Sequence, residues 1–298
     1  MLVDLLQNTL DGLTFGAAYA LLALGFTLIF GVLRRVNLSY GPAIMFGCYG
    51  ATWVSLAFNS NLVLLFLVTI AGTVLAGAYV ERLCFAPHRS TGAGPCAGSP
   101  VAAMVASFAL WMQFEEAATL VLPRHLYAFP PLYSGGPLTV GPFFLRVEAL
   151  VTLAAAIAIC LLLGWLLWRT RFGLAVRAVI ESPRAAELAG INVPSVFVRV
   201  FALASAIGGL AGYLVVASHG QITPMLGMWS TLKGMIAMML GGLGSLPGAV
   251  LGGLVLGLIE AHSQWYLGPQ TRDLIAYLLL FVLLALRPAG LWPARAQG

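Results

Sequence analysis

Glu115 and Glu116 stand side by side in the apolar run Val101–Leu122, just after Gln113. A carboxylate at the centre of a membrane helix costs about 2.5–3.5 kcal/mol, so such a group faces the protein interior or finds a partner. Either glutamate could meet the cationic part of a solute or take part in gating. It could instead pair with a neighbouring helix, or reach outward to Arg124. Adjacent helical positions point about 100° apart, so the two cannot both face one cavity. A second group comprises Asn37, Ser39 and Gly41 at one break in the apolar pattern, and Gly241, Gly242, Gly244 and Ser245 at another. Broken helices expose backbone N–H and C=O groups, which could meet the carboxylate and ammonium of a zwitterion. Glycine at those places could equally serve only the turn and the packing. Ser245 could also be a nucleophile with His219 or His262 as its base. It lacks a Gly-x-Ser-Gly setting, and both histidines fall towards the opposite membrane surface. The single lysine, Lys233, follows Met-Trp-Ser-Thr-Leu, so it does not close a GxxxxGK[ST] phosphate loop. Any ATP and its Mg would therefore be handled by another chain. Cys48, Cys84, Cys96 and Cys160 form no Cys-x-x-Cys pair, which implies neither a disulfide framework nor a metal site.

The elements that must position these groups are set by the solvent. Hydrophobic residues make up 60% of the 298 positions and charged residues 8%, where a soluble domain carries about 25% charge. Such a chain could not cover a surface in water, and most of its apolar blocks approach the roughly 20 residues a bilayer requires. Period-2 strands of a membrane barrel are absent from the sequence, so the expected fold is all-α, a polytopic transmembrane helical bundle. About eight spans are expected: Leu13–Leu33, Pro42–Phe58, Leu62–Val80, Val101–Leu122, Val147–Trp168, Val198–Ala217, a discontinuous pair of short half-spans within Thr231–Ala261, and Asp273–Leu286. Leu13–Leu33 lacks a basic leader and reads as a retained first span. The chain, 1–298, reads as one membrane domain.

The net charge of +5 is read as topology rather than as a nucleic-acid footprint. With the N-terminus outside and the C-terminus cytoplasmic, Arg34, Arg35, Arg82, Arg89, Arg169, Arg171, Arg177, Arg184, Arg199, Arg287 and Arg295 fall inside. Only Arg124, Arg146, Lys233 and Arg272 fall outside or near it. The pairs Gly12/Gly16, Gly208/Gly212, Gly248/Gly252 and Gly253/Gly257 have the GxxxG spacing that lets helices approach closely in lipid.

The inward loop 169–197 is basic and amphipathic. Ser182 before Pro183 is a helix start and Gly190 a left-handed terminator, so Pro183–Ala189 should form a short helix, with Arg171–Glu181 a second one before it. Such an element could dock a partner or lie among lipid headgroups. The stretch Arg184-Ala185-Ala186-x-x-x-Gly190 resembles the Glu-Ala-Ala-x-x-x-Gly loop of ABC importer permeases, with Arg184 where many members carry Glu. The resemblance implies that Ser182–Gly190 inserts into a groove on an ATPase, the alanine pair allowing a close fit. An independent channel or ion-coupled carrier would not need this loop.

The segments Gly12–Gly41, Leu240–Gly253 (LGGLGSLPGAVLGG) and Leu286–Pro293 (LRPAGLWP) are similar, in order, to the LivH-type permeases of branched-chain amino acid importers. At the first turn the sequence keeps Asn37 and Gly41 but has no histidine. This resemblance implies a bacterial inner-membrane subunit that is not itself an enzyme. Its partners would be a second, LivM-like permease, two ABC ATPases carrying ATP and Mg, a periplasmic binding protein and membrane lipid. Its substrates would be branched-chain amino acids, or the urea, amides and aromatic acids carried by relatives.

Overall fold

The computed structural model describes residues 2–58, 61–87, 99–123, 126–133, 135, 138–140, 143–287 and 290–292. The expectations placed on Arg89, Cys96, Arg124 and Arg295 lie outside them. The elements run α1 (Leu2–Leu33), α2 (Tyr40–Phe58), α3 (Leu62–Val80, continued by a π-helical turn, Glu81–Phe85), α4 (Pro100–Val121) and β1 (Tyr127–Ala128). They continue with β2 (Leu138–Val140), β3 (Phe143–Leu145), α5 (Val147–Arg169), α6 (Arg171–Glu181), α7 (Pro183–Leu188) and α8 (Val193–His219). The last elements are β4 (Gln221–Ile222), α9 (Met225–Gly241), α10 (Leu246–Leu267) and α11 (Thr271–Leu286). Five of the described helices, α1, α3 with its π turn, α5, α8 and α10, are long and apolar enough to cross a membrane. The bundle is helical as expected. The short strands form two antiparallel pairs, β1 with β4 and β2 with β3, at the end opposite the basic loop.

The core is built around α1, whose central residues from Ala17 to Leu24 are buried. It lies antiparallel to α10, with Gly12 beside Ala261 and Gly253 beside Ala20. A Cβ on Gly257 would sit 2.2 Å from the Gly16 nitrogen, and one on Gly253 would sit 2.4 Å from that of Ala20. The two GxxxG pairs therefore pack against each other. Lipid supplies no hydrophobic drive between helices, so backbone contact of this kind is what holds them. Gly208 and Gly212 receive Tyr40 and Ile44 of α2, while Gly248 and Gly252 receive the backbone of α9.

Three boundaries differ from the sequence reading. α1 begins at Leu2, not near Leu13, and its first turns are exposed. The discontinuous pair is present, but its arms are 17 and 22 residues long rather than half-spans. The glycine break shortens neither helix, because its turn occupies only Gly242–Ser245. The third difference is at Asn37–Gly41, expected as a break leading into a span from Pro42; α2 instead begins at Tyr40, and the segment before it is largely buried. Asn37 is 2% exposed and Ser39 0%. α1 ends at Leu33, and the next residue, Arg34, has a left-handed φ of 51°. The chain then turns back into the bundle, and α2 starts beside the middle third of α8, where the Tyr40 hydroxyl donates to the Ala204 carbonyl at 2.9 Å.

Candidate functional site

The polar groups gather in four places. The first is the deep start of α2. Helical N–H groups there have no turn before them and need acceptors. The Leu38 N–H donates to Ser107 Oγ on α4 (3.2 Å) and the Ser39 N–H to Asn37 Oδ1 (3.0 Å). Ser39 Oγ donates to the Ser107 carbonyl, and Thr231 Oγ1 on α9 donates to that of Gly227, with a longer contact to Leu38. Gly41 lies against Gly227, where any Cβ would collide. The structure thus brings together Asn37, Ser39 and Gly41 with two residues not singled out from the sequence, Ser107 and Thr231.

The second place was missed in the sequence. Lys233 on α9 and Glu260 on α10 are 1% and 0% exposed. Lys233 Nζ donates to Glu260 Oε1 at 2.5 Å and to Asp273 Oδ1 at 2.6 Å. Arg272 Nε donates to Glu260 Oε2 at 2.9 Å, and Tyr19 of α1 donates to the same oxygen at 2.6 Å while accepting from Arg272 Nη2. The Arg272 guanidinium also covers the face of Phe15, 4.6 Å from its centroid. Charges alternate along Asp273, Lys233, Glu260 and Arg272 and sum to zero, which offsets the cost of burying Lys233 and Glu260, while Asp273 at the end of the series is 58% exposed. The available signal was a lone lysine inside one apolar run and a lone glutamate inside another, since intramembrane charges pair with one another.

The third place is a cavity of about 500 Å³ at the strand end, between α1, α5, α8 and α10. It is lined by Asp11, Arg146 and Glu148 and by the aromatic rings of Phe15, Tyr19, Trp229 and Trp265, with Ser218 and His219 on one side. Gln7 pairs both ways with the Phe144 backbone and donates to Asp11, which ties β3 to α1 at the cavity wall.

The fourth is the basic end. Ser182 Oγ caps α7 by accepting from the Ala185 N–H at 3.2 Å, with Pro183 in the first turn. At the other end the Gly190 N–H donates to Glu187 and the Ile191 N–H to Ala186, with Gly190 at φ 84°. This is the double-bonded glycine termination of a helix, set by local sequence. α7 ends at Leu188, Ala189 being its cap. Pro183, Arg184, Ala185 and Gly190 are exposed, but Ala186 is 3% exposed and packs inward. Only one of the alanine pair therefore faces out, and the outward apolar residue is Leu188, 90% exposed.

The remaining sequence candidates are dispersed. Gln113 and Glu116 are exposed on α4; Gln113 Oε1 accepts from the Tyr79 hydroxyl at 3.4 Å. Glu115 is half-buried and accepts from Trp111 Nε1 on its own helix at 3.1 Å. At the α9–α10 break, the carbonyls of Leu240 and Gly241 accept from the Leu291 and Trp292 N–H groups. Ser245 Oγ accepts from the Gly248 N–H at 3.2 Å as the cap of α10. The groups that would meet a zwitterion at Gly241 and Ser245 are thus engaged within the chain, while Gly242 and Gly244 supply positive φ of 115° and 80°.

The sequence profile of the family described as "Branched-chain amino acid transport system / permease component" matches residues 8–284. The high-affinity branched-chain amino acid transport system permease protein LivH of Escherichia coli (strain K12) is 29% identical, over 96% of this chain and 94% of its own length. BraD of Pseudomonas aeruginosa, a permease protein of the same description, is 28% identical over 96% and 95%. Among solved structures, an inward-facing metal-chelate type ABC transporter superposes with a TM-score of 0.55 at 19% identity, covering 94% of this chain and 87% of that one. At that identity the likeness concerns the fold.

Proposed function

The chain belongs to the family of permease components of branched-chain amino acid transport systems, and we propose that it carries branched-chain or related apolar amino acids through an ATP-driven importer. As a family member it is a transmembrane permease subunit. The proposal assigns ATP and Mg to two partner ATPases, solute delivery to a periplasmic binding protein, and the other half of the pathway to a second, LivM-like permease. It also assigns the basic end to the cytoplasm of a bacterium, which leaves the N-terminus outside and the C-terminus inside, in line with the excess of arginine there. Gln113, Glu115 and Glu116, on or beside the exposed face of α4, are then available to the second permease or to the solute path between the two.

The observation that carries this reading is α7: a helix of 6 residues, capped at both ends by its own sequence, presenting Arg184, Ala185 and Leu188 outward at the basic end. An apolar side chain that exposed suits a groove on a partner better than water. ATPase closure would push this helix, and through α6 and α8 the bundle would move between outward and inward access. Leu188→Arg in the assembled transporter tests it. The side chain supports nothing within the chain, so the subunit should insert and fold normally. Uptake and solute-stimulated ATP hydrolysis should fall about tenfold or more, as for loss of a central contact in an interface. Unchanged uptake and ATPase association would remove the proposed contact. Ala186→Arg would not serve, since it would disrupt the loop itself.

A further inference from the structure

The cavity at the strand end lies away from the coupling loop, and its lining mixes charged side chains with aromatic rings. Asp11, Arg146 and Glu148 put ionised groups of both signs on its walls. Trp229 and Trp265 supply large apolar faces. Ligand pockets combine these two ingredients: a mainly apolar lining with a few placed polar groups that fix orientation. The floor is also rigid. Trp229 packs on Tyr19 with centroids 5.5 Å apart. The Tyr19 hydroxyl is held in turn by both Glu260 and Arg272 of the buried ion cluster. A floor fixed by charge-assisted hydrogen bonds keeps its shape before any solute arrives, which lowers the cost of binding.

We infer that this cavity, within a single subunit, is a binding station for a zwitterion with an apolar side chain. The Arg146 guanidinium takes the carboxylate, Asp11 and Glu148 take the ammonium, and the side chain lies on Trp229. Arg146 suits the first task because its planar donors match a carboxylate in pairs. Glu148, in the first turn of α5, and Asp11, on α1, stand on different helices, so a bound ammonium would bridge the two. The inference rests on the importer reading and adds to it where solute is first held, on the side away from α7. A zwitterionic lipid headgroup presents the same two charges, and the test below separates the two sources.

The experiment uses the complete transporter, without its binding protein, in nanodiscs of phosphatidylcholine, and measures saturable binding of radiolabelled leucine. Unlabelled leucine should compete. Leucinamide, which lacks the carboxylate, and isocaproate, which lacks the ammonium, should each compete at least about tenfold less well, as loss of a charge-assisted hydrogen bond implies. Arg146→Gln should weaken leucine binding by a similar factor and remove the preference for leucine over leucinamide. Glu148→Gln should lower the preference for leucine over isocaproate, with Asp11 still holding part of the ammonium. Both positions are at least partly exposed, so folding should be unaffected. Leucine binding unchanged in both variants, or equal competition by all three solutes, would overturn the inference, as would occupancy by lipid that leucine fails to displace. In the first two cases loss of uptake in Leu188→Arg would leave the importer reading standing; normal uptake in that variant would count against that reading separately.

Discussion

Two polar regions lie inside this apolar bundle, and they are stabilised by opposite means. Around Glu260 charged side chains of opposite sign alternate, Lys233 lying between Glu260 and Asp273, and Glu260 between Lys233 and Arg272. Around Ser39 every group is neutral, and serine, asparagine and backbone complete one another. The ionic cluster links α1, α9, α10 and α11 through Tyr19, Lys233, Glu260, Arg272 and Asp273, with its centre at Lys233 and Glu260 closed to water. The neutral cluster lets the chain reverse and start a helix at depth. One region clamps helices; the other permits a break. The difference follows from the backbone: Lys233 and Glu260 lie within intact helices whose peptide groups are already paired, whereas the Leu38 and Ser39 N–H groups precede a helix and must borrow acceptors.

The comparison is broken most severely at Glu260. Glu260→Gln leaves Lys233 and Arg272 facing one neutral amide, and removal of one partner from a buried ionic group costs about 3–5 kcal/mol. Thermal denaturation in detergent, followed by size-exclusion fluorescence, should show the largest loss of any single change considered. The double variant Lys233→Met with Glu260→Gln leaves Asp273 and Arg272, which balance. It should be more stable than Glu260→Gln alone, the non-additivity expected of groups in contact. A double variant less stable than that single one would mean that hydrogen bonding, not charge balance, governs the cluster. In the neutral region Ser107→Ala removes the acceptor of the Leu38 N–H. A buried donor left alone costs about 1–3 kcal/mol, so the same assay should register a smaller loss. A loss as large as that of Glu260→Gln would erase the distinction between the two regions.

How much of this was legible depends on how far apart the cooperating residues are. Ser182, Pro183 and Gly190 specify α7 within nine positions, and the structure reproduces both caps. The glycine pairs showed which helix faces could approach, but not that Gly12 and Gly16 would meet Gly253 and Gly257, because spacing within a helix carries no address for its partner. Tyr19, Lys233, Glu260 and Arg272 are brought together from α1, α9, α10 and α11, so no local pattern announces them. The same holds for the α9–α10 break. Its glycines marked the turn, whereas the donors that cap α9 come from Leu291 and Trp292, in a segment that carried the family resemblance but no sign of its contact with the break. The inward packing of Ala186 depends on how α7 rests on its neighbours, and nothing in the local pattern distinguishes it from Ala185.

The smallest expected effect falls at Ser245, where the two kinds of region can be told apart from a solute path. Its hydroxyl accepts one hydrogen bond, from the Gly248 N–H, and the residue is only half-buried, so water can replace part of what is lost. Replacing a serine cap by alanine costs about 1 kcal/mol; replacing it by glycine costs only a few tenths, because glycine leaves the N–H groups open to water. If Ser245 serves only as a cap, Ser245→Ala should lower the melting temperature slightly, Ser245→Gly less, and the KM for leucine uptake should follow neither change. If Ser245 contacts solute, both variants lose the same hydroxyl. The KM should then rise equally in the two, despite their unequal stability. The break at Gly242–Ser245 would in that case join the transport path, and the neutral cluster at Ser39 would be the only one of the two breaks with a purely structural duty.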